Sequence, residues 1–370
     1  MHPHTDTPPE TSSEHLRSVH TRSFAQLLHG LGVSLLVSTY QAGKLVVLRE
    51  KDGLVNTHFR MFDRPMGVAA DGGRFAVGTA AGVTEYRNMR AVAQRLDPPG
   101  VHDAVFLPRL MHVTGNIDIH ELAYAGDELW FVNTLFSCLC TLDGQNSFVP
   151  RWRPPFVSGY AAEDRCHLNG LEIVEGHPRY VTALGVSDKH GGWRDNKASG
   201  GVLMEVPSGE VICRGLSMPH SPRWHDGELW LLESGNGSLS RVDPLNGTLT
   251  TVATLPGFTR GLAFCGPYAF IGLSQVRESA VFSGIKVTEH EERNSGVWVV
   301  DVRSGTTVAF LRFEAAVHEV FAVALLPGIR FPEVLENDHQ LIKSSYALPE
   351  QALAEVQAGR ESSSQSAGNA

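Results

Sequence analysis

The sequence lacks the features that mark membrane-spanning and nucleic-acid-binding proteins. It contains no run of about 18 apolar residues, the length that a membrane-spanning helix needs. Charged residues make up only 19% of the chain, and the net charge of −9 provides no basic patch for nucleic acid or for an anionic membrane surface. We therefore expect neither a nucleic acid nor a membrane among its partners.

Disulfide and secretion signals are also missing. Five cysteines without a regular spacing are typical of reduced thiols rather than of a disulfide framework. Cys138 and Cys140 are too close for a typical zinc pair and are interpreted as alternate residues of one strand. Residues 1–14 are polar and proline-rich, without the basic and apolar regions of a secretory signal. Together these features predict a cytoplasmic protein.

What the sequence does contain is one local pattern that recurs six times. Successive copies start 38 to 60 residues apart, a spacing typical of the four-stranded sheets of a β-propeller. Four copies begin with histidine and two with another residue; they start at Arg64, His120, His167, His220, Phe258 and His318. Runs of apolar and β-branched residues separated by Asn-Gly and Asp-Gly turns supply the hairpin signals within the repeats.

The two ends of the chain complement each other. Only one strand, from Val320 to Leu326, is predicted after the last repeat start, whereas three strands precede the first. Pairing the ends would complete a sixth blade and remove the open sheet edges. The sequence therefore predicts an all-β fold, a six-bladed β-propeller with a two-ended closing blade. Residues 14–346 would form this single domain, with a short N-terminal helix between Glu14 and Gly30 and disordered tails at 1–13 and 347–370.

Four long insertions are predicted on the face of the propeller where the repeats begin. They cover Asp97–Asp118, Arg153–Cys166, Ser187–Gly200 and Gln275–Ser295. Long connections in a compact domain are usually functional or disordered. Four of them around one mouth suggest a covered pocket, with Trp193 of the third insertion as part of a lid.

Radial repetition places equivalent residues around one axis, so the four histidines could converge. His120, His167, His220 and His318 are predicted to bind a transition metal, with Fe(II) favoured and Cu or Mn as alternatives. Other readings of this pattern are a pH-sensitive cluster or a polar binding floor. The nearby carboxylates are given supporting roles: Glu172 and Glu319 would orient the histidine rings and Glu121 would act as a catalytic group.

Other residues close to the repeat starts are predicted to contact a substrate. Arginines suit a carboxylate-bearing ligand because they can bind it through two parallel hydrogen bonds. Arg260 is assigned a catalytic role, and the predicted substrate-binding residues are Arg64, Asn169, Arg223, Phe258 and Trp193.

Residues 20–335 resemble an uncharacterised bacterial family of predicted six-bladed propellers. The resemblance rests on Gly115-Asn-Ile-Asp-Ile-His-Glu, Cys166-His-Leu-Asn-Gly-Leu, Met218-Pro-His-Ser-Pro-Arg and Pro256-Gly-Phe-Thr-Arg-Gly-Leu. It implies a fold rather than a reaction. The ligand set is similar to that of the carotenoid cleavage oxygenases, in which four histidines on a propeller axis hold ferrous iron, but those proteins have seven blades.

Three functions follow as hypotheses. The first is a non-haem iron or copper oxygenase or oxidase acting on a small or peptidic carboxylate-bearing substrate. The second is a metal-assisted lyase, lactonase or hydrolase, and the third a non-catalytic propeller that binds a peptide or glycan. The sequence contains no Gly-rich phosphate loop, serine nucleophile elbow or His-Glu-x-x-His motif, which argues against the chemistries that those motifs support.

Overall fold

The computed structural model describes residues 16–276, 283–337 and 339–356. The predicted tail at 1–13 lies outside these residues, as does 357–370, whereas residues 350–356 are helical. The chain begins with β1 (Ser18–His20), α1 (Arg22–Leu31), β2 (Val33–Thr39), β3 (Lys44–Lys51) and β4 (Leu54–Met61). No described helix is long and apolar enough to cross a membrane.

Five consecutive blades follow, each an antiparallel meander. Blade 1 contains β5 (Val68–Ala70), β6 (Arg74–Gly78), β7 (Gly82–Asn88), the short α2 (Arg90–Ala93) and β8 (Ala104–Val113). Blade 2 contains β9 (Ile119–Ala125), β10 (Glu128–Asn133), β11 (Cys138–Thr141) and β12 (Val149–Trp152). Blade 3 contains β13 (Leu168–Val174), β14 (His177–Ala183), β15 (Gly201–Glu205) and β16 (Val211–Leu216).

The remaining strands complete the ring. Blade 4 contains β17 (Pro219–His225), β18 (Glu228–Glu233), β19 (Ser238–Val242) and β20 (Leu249–Thr254). Blade 5 contains β21 (Phe258–Cys265), β22 (Tyr268–Ser274), β23 (Gly296–Asp301) and β24 (Thr306–Phe313). The chain then forms β25 (Ala322–Pro327), β26 (Pro332–Val334) and α3 (Gln340–Lys343).

Both chain ends build the closing blade, as predicted. Strand β25 pairs with β2, which continues through β3 to β4, so blade 6 takes its inner strand from the C-terminal part and three strands from the N-terminal part. The predicted six-bladed β-propeller with two-ended closure is therefore confirmed. Two strands were not predicted: β1 extends the outer edge of blade 5, and β26 pairs in parallel with β8 at the outer edge of blade 1. Both cover strand edges that would otherwise be open.

The N-terminal helix is shorter than the segment predicted to contain it. Helix α1 starts at Arg22 because the residues before it, Ser18–His20, form strand β1 and pair with β24. It ends at Leu31, and the capping residue Gly32 has a left-handed φ of 66°, which suits a residue without a side chain. Phe24 and Leu28 anchor it against strands of blades 5 and 6.

One predicted insertion is wrong. Residues 97–118 were expected to form a loop between blades, but 10 of these 22 residues belong to β8, the fourth strand of blade 1. The long connection instead runs from β7 to β8, with α2 inside it. Because it joins a third strand to a fourth, it lies on the face opposite the repeat starts.

Buried charges tie β26 to its neighbours. The Glu333 carboxylate lies 2.7 Å from His58 Nε2, 2.7 Å from Arg60 Nη2, 3.6 Å from Arg49 Nη1 and 3.4 Å from His102 Nε2. Burial disfavours its charge, yet the contacts with His58, Arg60 and Arg49 outweigh burial and lower the Glu333 pKa to about 2.

Glu333→Gln should destabilise the fold, because it leaves several buried cationic groups without their counter-ion. We expect a loss of about 3 kcal/mol in the free energy of unfolding near neutral pH. Since the folded pKa lies below the ordinary value of 4.5, the stabilisation is complete above that pH and is lost as pH falls toward 2. Urea unfolding of both proteins across this pH range measures it. A constant difference at every pH would contradict the assignment.

Candidate functional site

The inner strands of all six blades start on one face and run along the axis, and in blades 2 to 5 a β-bulge near the start of the strand fixes which residue faces the centre. In blade 2, Ile119 pairs with Asn133 before the bulge; in blade 4, Pro219 pairs with Glu233 before an equivalent bulge. His120 and His220 therefore occupy the same position. The corresponding residues of the other blades, from their strand pairing, complete what we call the axial ring: Met66, His120, Asn169, His220, Arg260 and Phe321.

The other predicted starting residues do not share this position, so the common register inferred from the sequence is wrong for them. Arg64, His167 and Phe258 each precede the ring residue of their blade by two positions, and His318 precedes Phe321 by three. Arg64 and His167 adopt left-handed backbone conformations, with φ of 49° and 52°. Asp118 and Met218 do the same two residues before His120 and His220, which supports the corrected alignment.

The two ring histidines have the same buried environment. His120 Nδ1 lies 3.1 Å from Asp118 O and 2.9 Å from Thr134 Oγ1. His220 Nδ1 lies 3.0 Å from Met218 O, with a serine hydroxyl at 2.8 Å. A carbonyl can only accept, so each Nδ1 carries the proton and each Nε2 has an available lone pair. Neither Nε2 makes a hydrogen bond to a described residue.

Burial lowers the pKa of both ring histidines well below the usual value, and the positive charge of Arg260 lowers it further. Both imidazoles are therefore neutral at pH 7. Their Nε2 atoms can accept a hydrogen bond from a ligand, or coordinate a metal, without first losing a proton.

His167 reaches the same site from the connection between blades 2 and 3. Its Nδ1 lies 2.9 Å from Asp164 Oδ1, while Asp164 Oδ2 accepts hydrogen bonds from Trp193 Nε1 at 2.8 Å and from Arg194 at 3.2 Å. The His167 ring lies edge-on to that of His120, with centroids 4.7 Å apart, and 4.5 Å from Trp193. The aspartate thus orients the imidazole, the arrangement that general bases use.

Arg260 is the cationic member of the axial ring. Its guanidinium lies 3.4 Å from the ring centroid of Phe321, in cation–π geometry. It forms no ion pair or hydrogen bond with any residue in the described part of the chain. Burial lowers its pKa to about 10, so the group remains charged at neutral pH.

The predicted lid packs over this face. Trp193 is buried in an apolar cluster that joins the insertions of blades 3 and 5; the cluster contains Leu184, Trp193, Met218, Phe258, Val276, Ile285 and Val287. The Phe258 ring lies 5.7 Å from that of His220. Part of the blade 5 insertion, residues 277–282, lies outside the described residues.

His318 stands apart from the other three histidines. Its Nδ1 lies 3.0 Å from Gln275 Oε1, and its ring contacts none of the other predicted ligands. Within residues 16–276, 283–337 and 339–356, no group of three or more histidine, cysteine, aspartate or glutamate side chains could hold a metal ion. The four-histidine metal centre therefore stays a prediction.

The predicted supporting residues lie elsewhere than the sequence suggested. Glu121 lies 2.5 Å from Arg223 Nη2, and Glu172 lies 3.8 Å from Arg223 Nη1, so both carboxylates contact an arginine rather than an imidazole. Asn169 bridges blades, donating to Pro219 O at 3.0 Å. Glu319 makes no hydrogen bond to a described residue and acts electrostatically on Arg260.

Several residues of the site escaped the sequence analysis. Asp164, Thr134 and Ser234 hold the three histidine rings. Thr134 and Ser234 each follow a ring histidine by 14 residues, a regularity that the sequence does display. Asp164, three residues before His167, belongs to an irregular connection and gives no comparable signal.

Comparison with known proteins agrees with this architecture. Residues 22–335 match the model of a domain of unknown function, DUF4915. The chain belongs to this family. No curated protein sequence matches the DUF4915 chain. A crystal structure of a nidogen/laminin complex includes a similar chain, with a TM-score of 0.53 and 9% identity over 80% of this chain and 99% of that one. A protein of unknown function from Bacteroides caccae gives 0.52 and 9% over 79% and 98%. At such identities the likeness concerns the fold alone.

The ring histidines should remain neutral where ordinary imidazoles titrate. In long-range nitrogen–proton NMR spectra of histidine-labelled protein, we expect His120 and His220 to keep the Nδ1–H tautomer from about pH 8 to about pH 5.5. Their signals can be assigned from His120→Gln and His220→Gln. Protonation of either ring near the usual pKa of 6.5 would contradict the burial described above.

Proposed function

We propose that the axial ring and His167 form a binding site for a small molecule that carries a carboxylate. The observation that carries this proposal is the guanidinium of Arg260, which is largely buried at the axis and forms no direct ion pair or hydrogen bond with any described residue, although Glu319 acts on it from a distance. A buried charge is costly unless it is paired, and a carboxylate matches the planar donor pattern of arginine.

The neighbouring imidazoles extend this recognition. Nε2 of His120 and Nε2 of His220 can each accept a hydrogen bond. A hydroxyl or amide group next to the ligand's carboxylate could therefore donate to either ring. Burial, together with the positive charge of Arg260, keeps these rings neutral. A carboxylate alone would therefore bind less tightly than a carboxylate with adjacent hydroxyl groups.

The pair of Asp164 and His167 would supply proton transfer. The aspartate holds Nδ1–H of the imidazole, which leaves Nε2 as the proton acceptor toward a ligand. The apolar cluster around Trp193 would limit the access of water to the ligand from the side of the lid. We propose an enzyme that moves a proton to or from a bound carboxylic acid, with Arg260 anchoring the ligand and His167 acting as the base.

Binding of carboxylates tests the anchor. We expect lactate, gluconate or citrate to bind wild-type protein in isothermal titration calorimetry, and the neutral amides of these acids not to bind. Arg260→Gln should weaken binding by at least tenfold, about 1.4 kcal/mol. Arg241→Gln is the matched control, because Arg241 pairs with Glu228 on the surface of blade 4. Equal affinities in wild type and Arg260→Gln would refute the proposal.

A second candidate is the metal-dependent oxygenase or oxidase. One observation favours it: the backbone carbonyls that hold Nδ1 of His120 and His220 are typical partners of metal-binding histidines. The described residues nevertheless do not complete a ligand set, so no reaction step is derived through a metal ion.

Metal content decides between the two candidates. The metal-dependent candidate predicts about one iron, copper or manganese ion per purified chain, lost in His220→Ala and retained in His112→Ala. His112 is a suitable control because it lies on the outer strand β8, away from the axis. Wild-type protein that takes up none of these metals after anaerobic addition would leave only the carboxylate site.

A further inference from the structure

The propeller has an axial cavity on the face opposite the histidines. The inner strands of all six blades end around it, and it encloses about 390 Å³. Each blade contributes to its wall; one residue from each is Ala70, Tyr124, Glu172, Trp224, Phe264 and Ala324. Glu121 and Arg223 pair between this cavity and the axial ring. We call it the opposite-face pocket.

The ionisable groups of this pocket have partners, but one of them is only partly satisfied. Asp71 pairs with Arg74 at 2.7 Å, the Tyr124 hydroxyl donates to Glu85 at 3.0 Å, and His225 Nε2 lies 2.8 Å from Gly266 O. The partly satisfied group is Glu172. One of its oxygens accepts a hydrogen bond from the backbone N–H of Trp224 at 2.8 Å, but the other has only Arg223 nearby, at 3.8 Å.

Arg223 cannot fully neutralise Glu172 because its donors are engaged elsewhere. It donates to Leu262 O at 2.9 Å, to Pro222 O at 2.7 Å, to Leu171 O at 3.4 Å and to Glu121 at 2.5 Å. Glu121 forms the close ion pair with Arg223, and Glu172 lies farther from the same guanidinium, so two carboxylates share one positive charge. When both carboxylates are ionised, one negative charge is left without a close counter-ion, and it belongs to the carboxylate that lines the pocket.

We propose that the opposite-face pocket binds a small molecule carrying a primary ammonium group, with Glu172 as its counter-ion and the rings of Trp224 and Phe264 against its hydrocarbon part. This site is independent of the carboxylate site proposed above. The ammonium ion supplies the cationic donor that the second oxygen of Glu172 lacks, and aromatic walls favour cations with apolar substituents.

Binding should depend on pH. Burial raises the pKa of Glu172 to about 7, and the nearby Arg223 only partly offsets this. A ligand ammonium requires the ionised carboxylate, so binding near neutral pH should release part of a proton. The ionised fraction rises about tenfold between about pH 6 and about pH 8, and the affinity should follow it.

Calorimetry with propylamine, 1,4-diaminobutane and phenethylamine tests the site, with the N-acetylated compounds as uncharged controls. We expect millimolar or tighter binding of the amines, no binding of the controls, and proton release visible as a difference between buffers of unlike ionisation heat. Affinity should increase about tenfold from about pH 6 to about pH 8.

Substitutions test whether amine binding depends on Glu172 rather than on other charged residues. Glu172→Gln should weaken binding at least tenfold and abolish its pH dependence, whereas Asp127→Asn, an exposed carboxylate on the same face, should change neither. Arg260→Gln should also bind amines normally, which keeps this test distinct from the carboxylate site. Trp224→Ala serves as the second variant if Glu172→Gln does not fold. Binding that survives in Glu172→Gln, equal binding of the acetylated controls, or no binding of any amine would overturn the proposal.

Discussion

The arrangement of the site depends on one constraint, the need to satisfy buried backbone carbonyls where each inner strand begins. At five of the six blade junctions, a side chain of one blade donates to the inner-strand carbonyl of the next: Ser38 to Met66, Thr134 to Leu168, Asn169 to Pro219, Ser234 to Thr259 and Ser274 to Val320. At the remaining junction Gly67 allows close approach, since a Cβ there would lie 2.5 Å from His120 O. Closure of the ring and orientation of the axial residues therefore use the same contacts. Because the hydroxyls of Thr134 and Ser234 already donate to a carbonyl, they can only accept from Nδ1 of His120 and His220, and this fixes both rings.

The fold could be predicted from the sequence because its signals are local and repeated. Turn residues and alternating apolar residues marked the strands, and the count of strands at the two ends gave the closing blade. The added strands β1 and β26 gave no such signal: they are only three residues long and pair with partners far away in the chain. The connection inside blade 1 was misplaced because β8 has exposed apolar residues, such as Met111 and Val113, that do not alternate clearly with polar ones.

The site was only partly predictable, for a reason that lies in strand geometry. Side chains two residues apart point to the same side of a strand, so a histidine at either position satisfies the same pattern. His167 and His220 matched in the sequence although their strands place them two residues apart. A left-handed residue and a β-bulge near the start of the inner strand decide which position faces the axis. Neither feature requires a particular residue type, since a similar left-handed φ is adopted by Arg64, Asp118, His167 and Met218. The partner of His167, Asp164, lies in an irregular connection whose path only the folded chain determines.

Charges along the axis are arranged so that the two faces differ. On one face Arg260 lies among neutral imidazoles, and its charge helps to keep His120 and His220 unprotonated. Toward the other face, Glu121 and Glu172 share Arg223. An anion bound to Arg260 would cancel the charge that depresses the pKa of His120 and His220, so both imidazoles would become easier to protonate in the complex than in the empty site. Ligand binding and proton uptake would then favour each other. The ring histidines are neutral in the empty site, and the proposed anionic ligand would remove the contribution of Arg260 to their lowered pKa values while burial would continue to lower them.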